Sequence, residues 1–358
     1  MKIYVYAISK NESKFAERFL KSVSEADGVY VLDTGSTDDT VNKLRAAGAF
    51  VTEKTIEPWR FDVARNEALK LLPADADVAV SVDFDEVFES GWRKEVEKAF
   101  LSGANRLTYK YVWSHDKSGG DGVVLKYDKI HSPADFYWVN PVHEVLETKS
   151  GVKTTVKHSD KVVLHHYPDE TKSRKEYLGL LELAVKESPA VKRNYFYLGR
   201  EYYFYKEYDK ALNCFKKYLS FAGGFSEEKA ELRVYAAKCY IEKGDLASAE
   251  STLLIGAAEA PKYKNLYLIM CELYSKKRDF AALLYAASRG IVAESEQINY
   301  LSDETQKGIF DDYLSIALYE FGAYKQALYY VNAAISKNPQ DERLKRNREF
   351  IVKELNFK

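Results

Sequence analysis

The sequence predicts a protein of the α/β plus all-α class, in which a sheet domain is followed by an α-helical repeat domain. Short apolar runs alternate with helical spacing over roughly the first hundred residues, whereas only helical periodicity is present from about residue 190 onward. At 358 residues the chain is also longer than a single hydrophobic core usually supports. We therefore expect two domains, covering residues 1–170 and 171–358.

The first domain opens with a strand–helix–strand unit. Residues Ile3–Ser9 are β-branched and aromatic, Phe15 and Phe19 recur at helical spacing, and Val29–Asp33 returns to a strand pattern. The next predicted elements are a helix capped by Thr37 or Asp38, a strand at 49–52, a helix at 61–72 and a strand at 77–83. This alternation predicts a mostly parallel sheet covered on both faces, with ligands bound beyond the carboxyl ends of its strands.

Residues 103–170 have a different pattern, with aromatic and alternating segments between turns, which predicts mixed or antiparallel sheet. All six histidines of the chain fall in this segment: His115, His131, His143, His158, His165 and His166. Such clustering favours a functional role for some of them. His165 and His166 are adjacent in a strand pattern, so they point to opposite faces, and the sequence does not decide which one faces a ligand.

A short residue pattern is repeated in the second half of the chain. Alanines are followed four residues later by a large apolar residue in three places, at Ala211 and Phe215, Ala249 and Leu253, and Ala327 and Val331. Leu198-Gly199 and Tyr202 precede the first of these at the spacing of the first helix of a tetratricopeptide repeat. We expect four repeats, with a degenerate one at 264–297 and a solvated capping helix over Arg343–Lys353.

Composition disfavours several classes of protein. The 53 basic and 54 acidic side chains nearly balance, which disfavours a nucleic-acid or anionic-membrane surface. Cys214, Cys239 and Cys271 match no zinc or disulfide spacing and are expected to be buried thiols. No apolar stretch approaches the length of a transmembrane segment, so we expect a cytoplasmic protein.

The acidic run Asp83-Phe84-Asp85-Glu86 follows a buried strand pattern. Carboxylates two residues apart point to the same side and can share a divalent ion with a bound phosphate. Two interpretations remain for such a triplet by itself, a solvated turn or a metal site. Its place at the ligand-binding end of the sheet favours the metal site.

Four segments together resemble the ordered motifs of family 2 glycosyltransferases with the GT-A fold, in the variant that carries tetratricopeptide repeats. These segments are Lys10-Asn11-Glu12, Asp33-Thr34-Gly35-Ser36-Thr37-Asp38, Ala64-Arg65-Asn66 and Asp83-Phe84-Asp85-Glu86. The resemblance implies a Rossmann-like, GT-A-type mixed sheet. It also implies a nucleotide-sugar site formed by Ser9, Asn11, Glu12, Asp33, Arg65 and Asp83. Arg65 would contact the diphosphate, Asp83 the ribose or the metal, and Asp85 the metal.

The resemblance also suggests the chemistry. Glu144 would be the base that accepts the acceptor's proton, and His143 would bind metal or orient the acceptor. His166 resembles a histidine that completes the metal shell with Asp85 and Asp83, which favours Mn²⁺, whereas oxygen ligands alone would suit Mg²⁺. Phe84 stands where a small residue is common and is expected to reshape the sugar pocket.

The function expected from these residues is metal-dependent, inverting transfer of a sugar from a nucleotide-diphosphate donor, with UDP-sugars favoured. The acceptor would be a hydroxyl or side chain of a protein, peptide or glycan. Two alternatives remain: transfer to a nucleic-acid base, and an inactive binding module that recruits a partner through its repeats. Tyrosines between residues 195 and 208 are either core or the lining of an acceptor groove, with core favoured.

Overall fold

A computed structural model describes residues 1–115, 119–169, 177–293 and 308–356. It divides into two compact units, Met1–Glu187 and Ser188–Lys358. The sequence interpretation assigned everything from residue 171 to the repeats, but helix Tyr177–Glu187 groups with the first unit. Its Tyr177 ring lies 5.9 Å from the ring of Phe61, and Glu187 accepts a hydrogen bond from Arg60 at 2.7 Å.

A mixed sheet forms the first unit, as the sequence predicted. The strands are β1 (Ile3–Ser9), β2 (Gly28–Asp33), β3 (Phe50–Glu53), β4 (Val78–Ser81), β5 (Glu86–Phe88), β6 (Arg106–Val112), β7 (Val124–His131), β8 (Phe136–Val139), β9 (Val145–Thr148) and β10 (Val156–His166). The order in the main sheet is β3-β2-β1-β4-β7-β6-β10-β5, and β8 pairs with β9 in a separate hairpin. Strands β3, β2, β1 and β4 are parallel, whereas β7 runs antiparallel to both of its neighbours.

Helices cover both faces of this sheet. Those of the first unit are α1 (Ala16–Ser22), α2 (Thr40–Ala46), α3 (Phe61–Leu69), α4 (Trp92–Leu101) and α5 (Tyr177–Glu187). Because side chains of a strand alternate, Val5 of β1 packs in one core with Phe19 of α1, while Tyr6 packs in the other with Ala64 of α3.

Two predicted helix ends differ from the structure. Helix α2 begins at Thr40, later than the predicted Thr37 or Asp38 cap, because the Asp38 carboxylate accepts hydrogen bonds from the Thr40 amide and hydroxyl and closes a local turn first. Helix α3 ends at Leu69, ahead of the predicted residue 72, and Leu71 and Leu72 continue in turns before Pro73.

Helix pairs form the second unit. The described helices are α6 (Lys192–Phe204), α7 (Tyr208–Leu219), α8 (Ser226–Glu242), α9 (Leu246–Glu259), α10 (Lys264–Lys277), α11 (Phe280–Val292), α12 (Ile309–Glu320), α13 (Tyr324–Lys337) and α14 (Glu342–Asn356). The predicted repeat positions Ala211, Ala249 and Ala327 are fully buried on α7, α9 and α13. This confirms the tetratricopeptide-type solenoid, and residues 294–297 of the degenerate repeat lie outside the described residues.

Close helix crossing explains the small residues of the repeats. A Cβ added to Gly199 of α6 would lie 2.4 Å from Cε1 of Phe215 on α7, so only glycine lets these helices approach. In the degenerate repeat Leu283 of α11 is fully buried. Cys239 and Cys271 are buried thiols as predicted, whereas Cys214 is only partly buried.

The remaining predictions for this unit have mixed outcomes. Of the tyrosines between 195 and 208, Tyr202 is buried, Tyr205 is exposed, and Tyr203 packs on the ring of Tyr235 at 5.3 Å. The predicted capping helix α14 buries Leu344 and Ile351, while most of its other residues are polar and its Phe350 is exposed. Among the described helices, none has the length and apolar character needed to cross a lipid bilayer.

Candidate active site

The loops after β1 and β2 meet at the carboxyl edge of the sheet. Asp33 ends β2 and is buried, and its carboxylate accepts hydrogen bonds from the Ser9 hydroxyl at 2.7 Å and from the Ser36 amide at 2.8 Å. Gly35 has a φ of 108°, a backbone conformation that favours glycine, and its amide also reaches Asp33 at 3.1 Å. Asp33 and Ser9, both predicted for the nucleotide site, are therefore in direct contact.

Hydrogen bonds join the loop that contains Asn11 and Glu12 to the loop that follows β2. Asn11 adopts a φ of 58°, donates its amide to the Ser36 hydroxyl at 2.8 Å and accepts from the Thr37 amide at 2.7 Å. The Glu12 amide donates to the Thr40 hydroxyl at 2.7 Å. Left-handed backbone at a non-glycine residue costs energy, and these bonds offset that cost. The two loops consequently form one continuous rim.

The acidic run after β4 is a tight turn that separates its side chains. The Glu86 amide donates to the Asp83 carbonyl at 3.0 Å, and the Asp83 amide donates to the Glu86 carboxylate at 2.8 Å. Phe84 is buried and stacks on Phe19 with ring centroids 4.3 Å apart. The expectation that Phe84 reshapes the sugar pocket is therefore wrong, because its ring belongs to the apolar core under α1.

Arg65 of α3 joins two of the predicted site residues. Its guanidinium is buried, donates to Asp83 Oδ2 at 3.0 Å and to the Ser81 hydroxyl at 3.1 Å, and forms an ion pair with Glu144. The guanidinium also lies over the Trp138 ring, 5.1 Å from its centroid. Every nitrogen of Arg65 thus has a partner within the protein, and the bridge places the Asp83 and Glu144 carboxylates on one cation.

Asn66, the neighbour of Arg65, fixes the hairpin that leads to Glu144. Its side-chain amide donates to the Trp138 carbonyl at 2.8 Å, and its oxygen accepts from the Trp138 amide at 2.9 Å. These paired bonds mimic a strand ladder and hold β8 against α3. His143, in the turn before β9, has a φ of 51° and faces the Tyr177 ring at 6.3 Å.

Lys129 of β7 is a site residue that the sequence interpretation missed. It is buried, and its ammonium donates to Asp83 Oδ2 at 2.7 Å and to Glu86 Oε1 at 3.3 Å. The available signal was a lysine within a strand pattern, alternating with Tyr127 and His131. That signal identifies a buried lysine only once β7 is known to lie beside β4, which the sequence does not show.

Charge compensation sets the protonation of this cluster. Burial works against ionised Asp83, but the Arg65 and Lys129 cations outweigh it and lower the pKa of Asp83 below its usual range. Burial also opposes the charge of Lys129, yet Asp83 and Glu86 raise the pKa of the ammonium well above normal. Burial dominates at Glu86 and raises the pKa of its carboxyl group.

Strand register decides between the two adjacent histidines. In the antiparallel β10–β5 ladder His166 pairs with Glu86, and the Tyr167 amide donates to the Asp85 carbonyl at 2.7 Å. His166 therefore lies beside Asp85, with Nε2 3.4 Å from Oδ2. His165 points the other way, to Glu89 at 2.9 Å and His115 at 3.0 Å.

The pair of Asp85 and His166 has the chemistry of a partial metal shell. His166 Nδ1 lies 3.0 Å from the Trp113 carbonyl oxygen and can donate to it, so Nε2 is the nitrogen that faces Asp85, where it donates when the ring is protonated and could bind a cation when it is not. Burial lowers the pKa of His166, but the Asp85 hydrogen bond and charge outweigh it and the pKa rises above 6.5. The predicted trio with Asp83 is not assembled, because Asp83 is turned onto Arg65 and Lys129. Within the described ranges no three His, Cys, Asp or Glu side chains form a metal-holding group.

The remaining histidines do not share one site. His131 is fully buried, with Nε2 2.8 Å from the Tyr6 hydroxyl, which in turn accepts from the Trp138 indole at 2.7 Å. Its Nδ1 lies 3.0 Å from the Ser132 carbonyl oxygen, and burial lowers the pKa of His131 to about 4. His158 contacts Asp160 at the surface at 2.8 Å.

Comparisons with known proteins agree with the resemblance in the motifs. No family model matches the chain. Over 102 residues the chain is 35% identical to an uncharacterised glycosyltransferase of Rickettsia conorii, covering 28% of this chain and 35% of that protein. A counterpart from Rickettsia prowazekii is 33% identical over 28% of this chain and 34% of its own length. The expected similarity to glycosyltransferases is confirmed over this stretch, and the chain spans about a third of the length of these relatives.

Solved structures offer only distant likenesses. The protein MamA is 14% identical over 46% of this chain and 89% of its own, with a TM-score of 0.37. Glucosyl-3-phosphoglycerate synthase from Mycobacterium tuberculosis is 25% identical over 31% of this chain and 44% of its own, with a TM-score of 0.27. At TM-scores this low, neither likeness carries an argument about function.

Proposed function

We propose that this protein is a glycosyltransferase that moves a sugar from a nucleotide-diphosphate donor, a UDP-sugar, to an acceptor hydroxyl. The observation that carries the proposal is the joining of Asp83 and Glu144 by Arg65 at the carboxyl edge of parallel strands, beside Asp85 and His166. Ligands of open α/β sheets bind at this edge. The curated relatives, which are named glycosyltransferases, support the same class.

The nucleotide would bind at the rim formed by Ser9, Asn11, Glu12 and Asp33. The Asp33 carboxylate is buried and already accepts from the Ser9 hydroxyl, the Gly35 and Ser36 amides and the Ser36 hydroxyl, so we assign it to holding the rim in shape for the nucleotide. Asn11 holds the rim closed through Ser36 and Thr37. A preformed polar rim lowers the entropy cost of ordering a nucleotide.

A divalent cation fits beside this rim. Asp85 and His166 supply one oxygen and one nitrogen ligand, and donor phosphates would complete the shell, a combination that favours Mn²⁺ over Mg²⁺. The surrounding carboxylates Asp83, Asp85, Glu86 and Glu144 outnumber the cations Arg65 and Lys129, so the cluster has room for positive charge. When bound, the cation would neutralise charge that develops on the departing diphosphate.

In the proposed transfer, the acceptor oxygen attacks the anomeric carbon as the bond from that carbon to the diphosphate oxygen breaks. The acceptor's proton passes to the Glu144 carboxylate, and the bonding electrons leave with the diphosphate. Attack opposite the leaving group inverts the anomeric carbon. Arg65 is already bonded to Asp83, Glu144 and Ser81, so we assign it to holding the two carboxylates in place, instead of gripping phosphate.

The proposal is tested by incubating the full chain with UDP-, GDP- and TDP-sugars, Mn²⁺ or Mg²⁺, and peptide and glycan acceptors. Mass spectrometry would detect transfer, and released nucleotide would report hydrolysis. We expect turnover with at least one donor that stops when EDTA removes the cation. Asp85→Asn should lower kcat/KM by about 100-fold or more, while Asp160→Asn, at a carboxylate whose side chain is 86% exposed, should not change it. A folded chain that turns over no donor would refute the proposal.

A further inference from the structure

Lys129 enters the acidic turn from a neighbouring strand and contacts two of its three carboxylates. The ammonium reaches Asp83 Oδ2 at 2.7 Å and Glu86 Oε1 at 3.3 Å. It also lies over the Tyr127 ring, 4.8 Å from the centroid. An ammonium has three N–H donors, and these three contacts account for them. Since the side chain is only 7% exposed, Lys129 is a fixed part of the site.

These contacts pair Asp83 and Glu86 with one buried cation, which encloses Glu86 at 2% exposure and leaves Asp83 at 31%. Glu86 uses its second oxygen to accept the Asp83 amide at 2.8 Å, so Lys129 fixes the turn backbone as well as both side chains. Arg65 holds Asp83 from the opposite side at 2.9 Å. Asp85 has no contact with either cation in the described structure and instead faces His166 at 3.4 Å.

We propose that Lys129 is a positioning residue that sorts the carboxylates of the turn, pairing Asp83 and Glu86 with its ammonium so that Asp85 alone joins His166 in binding a divalent cation. This inference rests on the proposed function for the presence of the cation. Without the ammonium, three carboxylates within four residues would repel one another and compete for the same ion. With it, the Asp83 oxygens are engaged by the Lys129 and Arg65 cations, which disfavours their binding a further cation.

The inference is tested by the binding of Mn²⁺ alone to the full-length chain, measured by electron paramagnetic resonance and titration calorimetry. In the unaltered background, Asp85→Asn should weaken Mn²⁺ binding by about 10-fold or more, and Asp83→Asn by less than about 3-fold. In the Lys129→Met background Asp83 keeps Arg65 as its only cationic partner among the described residues, so its carboxylate has capacity to bind the ion. There, adding Asp83→Asn should change Mn²⁺ affinity by about 10-fold.

Control variants distinguish the positioning role of Lys129 from a general effect on folding. Lys126→Met, at an exposed position of the same strand, should reproduce the unaltered pattern. Lys129→Arg keeps a cation at this position, so in that background Asp83→Asn should still have little effect on Mn²⁺ affinity. If Lys129→Met does not fold, an Asp83→Asn effect as large as that of Asp85→Asn in the unaltered or Lys129→Arg background would still overturn the inference.

Three results would overturn the inference: equal weakening by Asp83→Asn and Asp85→Asn, an Asp83→Asn effect that is the same with methionine as with lysine at 129, and no Mn²⁺ bound at millimolar concentration. These readouts need no donor or acceptor. A chain that shows the expected binding pattern but transfers no sugar would refute the proposed activity and leave the role of Lys129 standing.

Discussion

Buried carboxylates are held differently in the two units. At the sheet edge both partners are enclosed in two ion pairs, since Arg65 and Glu144 are 5% and 12% exposed and Lys129 and Glu86 are 7% and 2% exposed. In the repeats the carboxylate is buried but its cation reaches solvent. Glu228 is 4% exposed beside Arg193 at 48%, and Asp312 is 8% exposed beside Arg343 at 51%.

This difference distinguishes a candidate ligand-binding site from a structural domain. Burying both charges of a pair carries two desolvation penalties, and apolar residues of similar size would often be as stable, so stability alone does not explain the sheet-edge network. A long side chain that keeps its charged end in water avoids most of the penalty. The paired burial is therefore best explained by a need for fixed charge where a ligand binds.

The largest loss of stability is expected when one of the buried cations is removed. Arg65→Met leaves Asp83 and Glu144 without their shared partner and should lower the free energy of unfolding by about 3–5 kcal/mol. Arg343→Met, at a half-exposed cation of the repeats, should cost about 1 kcal/mol. Urea unfolding followed by circular dichroism measures both, and equal losses would show that the two kinds of pair do not differ.

The buried, neutral His131 should make the free energy of unfolding depend on pH. The pKa of His131 is about 4 when folded against an ordinary 6.5, so below pH 6.5 the unfolded chain takes up a proton that the folded chain does not. Stability is therefore fully present above pH 6.5 and falls by up to about 3 kcal/mol as pH drops towards 4.

His131→Gln should remove this part of the pH dependence, and the partly exposed His158→Gln should keep it. Unfolding midpoints in urea at pH 4.5, 5.5 and 7 would report the slopes. If the slope of the His131 variant matched that of the unaltered protein, the buried imidazole would not be its source.

Inside the repeats, crowding at a helix crossing should lower the free energy of unfolding more than loss of a half-exposed cation does. Gly199→Ala places a Cβ 2.4 Å from the Phe215 ring and should lower the free energy of unfolding by about 1–3 kcal/mol. Gly179→Ala in α5 meets nothing within 4 Å and should be neutral or stabilise by up to about 1 kcal/mol. Thermal unfolding of the two variants distinguishes crowding from helix propensity, and equal effects would argue against close helix crossing.

The smallest effect is expected at a repeat carboxylate that has no buried cation among its hydrogen bonds. Glu231 accepts from the Tyr263 hydroxyl at 2.8 Å and from the Asn265 amide at 3.2 Å, and burial raises the pKa of its carboxyl group. A raised folded pKa contributes stability at low pH that is lost as pH rises through it. Glu231→Gln should therefore stabilise by less than about 1 kcal/mol at pH 7 and change nothing at pH 4, and clear destabilisation at pH 7 would contradict this account.

Local pattern was sufficient for much of the fold. The strand at 3–9 and the repeat alanines could be predicted because alternation and helical spacing are properties of neighbouring residues. The grouping of Ser9 with Asp33 also followed, since parallel strands end at one edge. The start of α2 was missed because the Asp38 side chain competes with the helix for the Thr40 amide.

The sequence by itself determined the two-part architecture, the acidic turn and the facing of His165 and His166 in opposite directions. Only the tertiary structure decided that His166 is the one beside Asp85, that Phe84 joins the core, and that Lys129 meets Asp83. The physical reason is that these outcomes depend on strand register and on which strands are neighbours. Pairing of β5 with β10 and of β4 with β7 joins segments far apart in the chain, and no local periodicity encodes it.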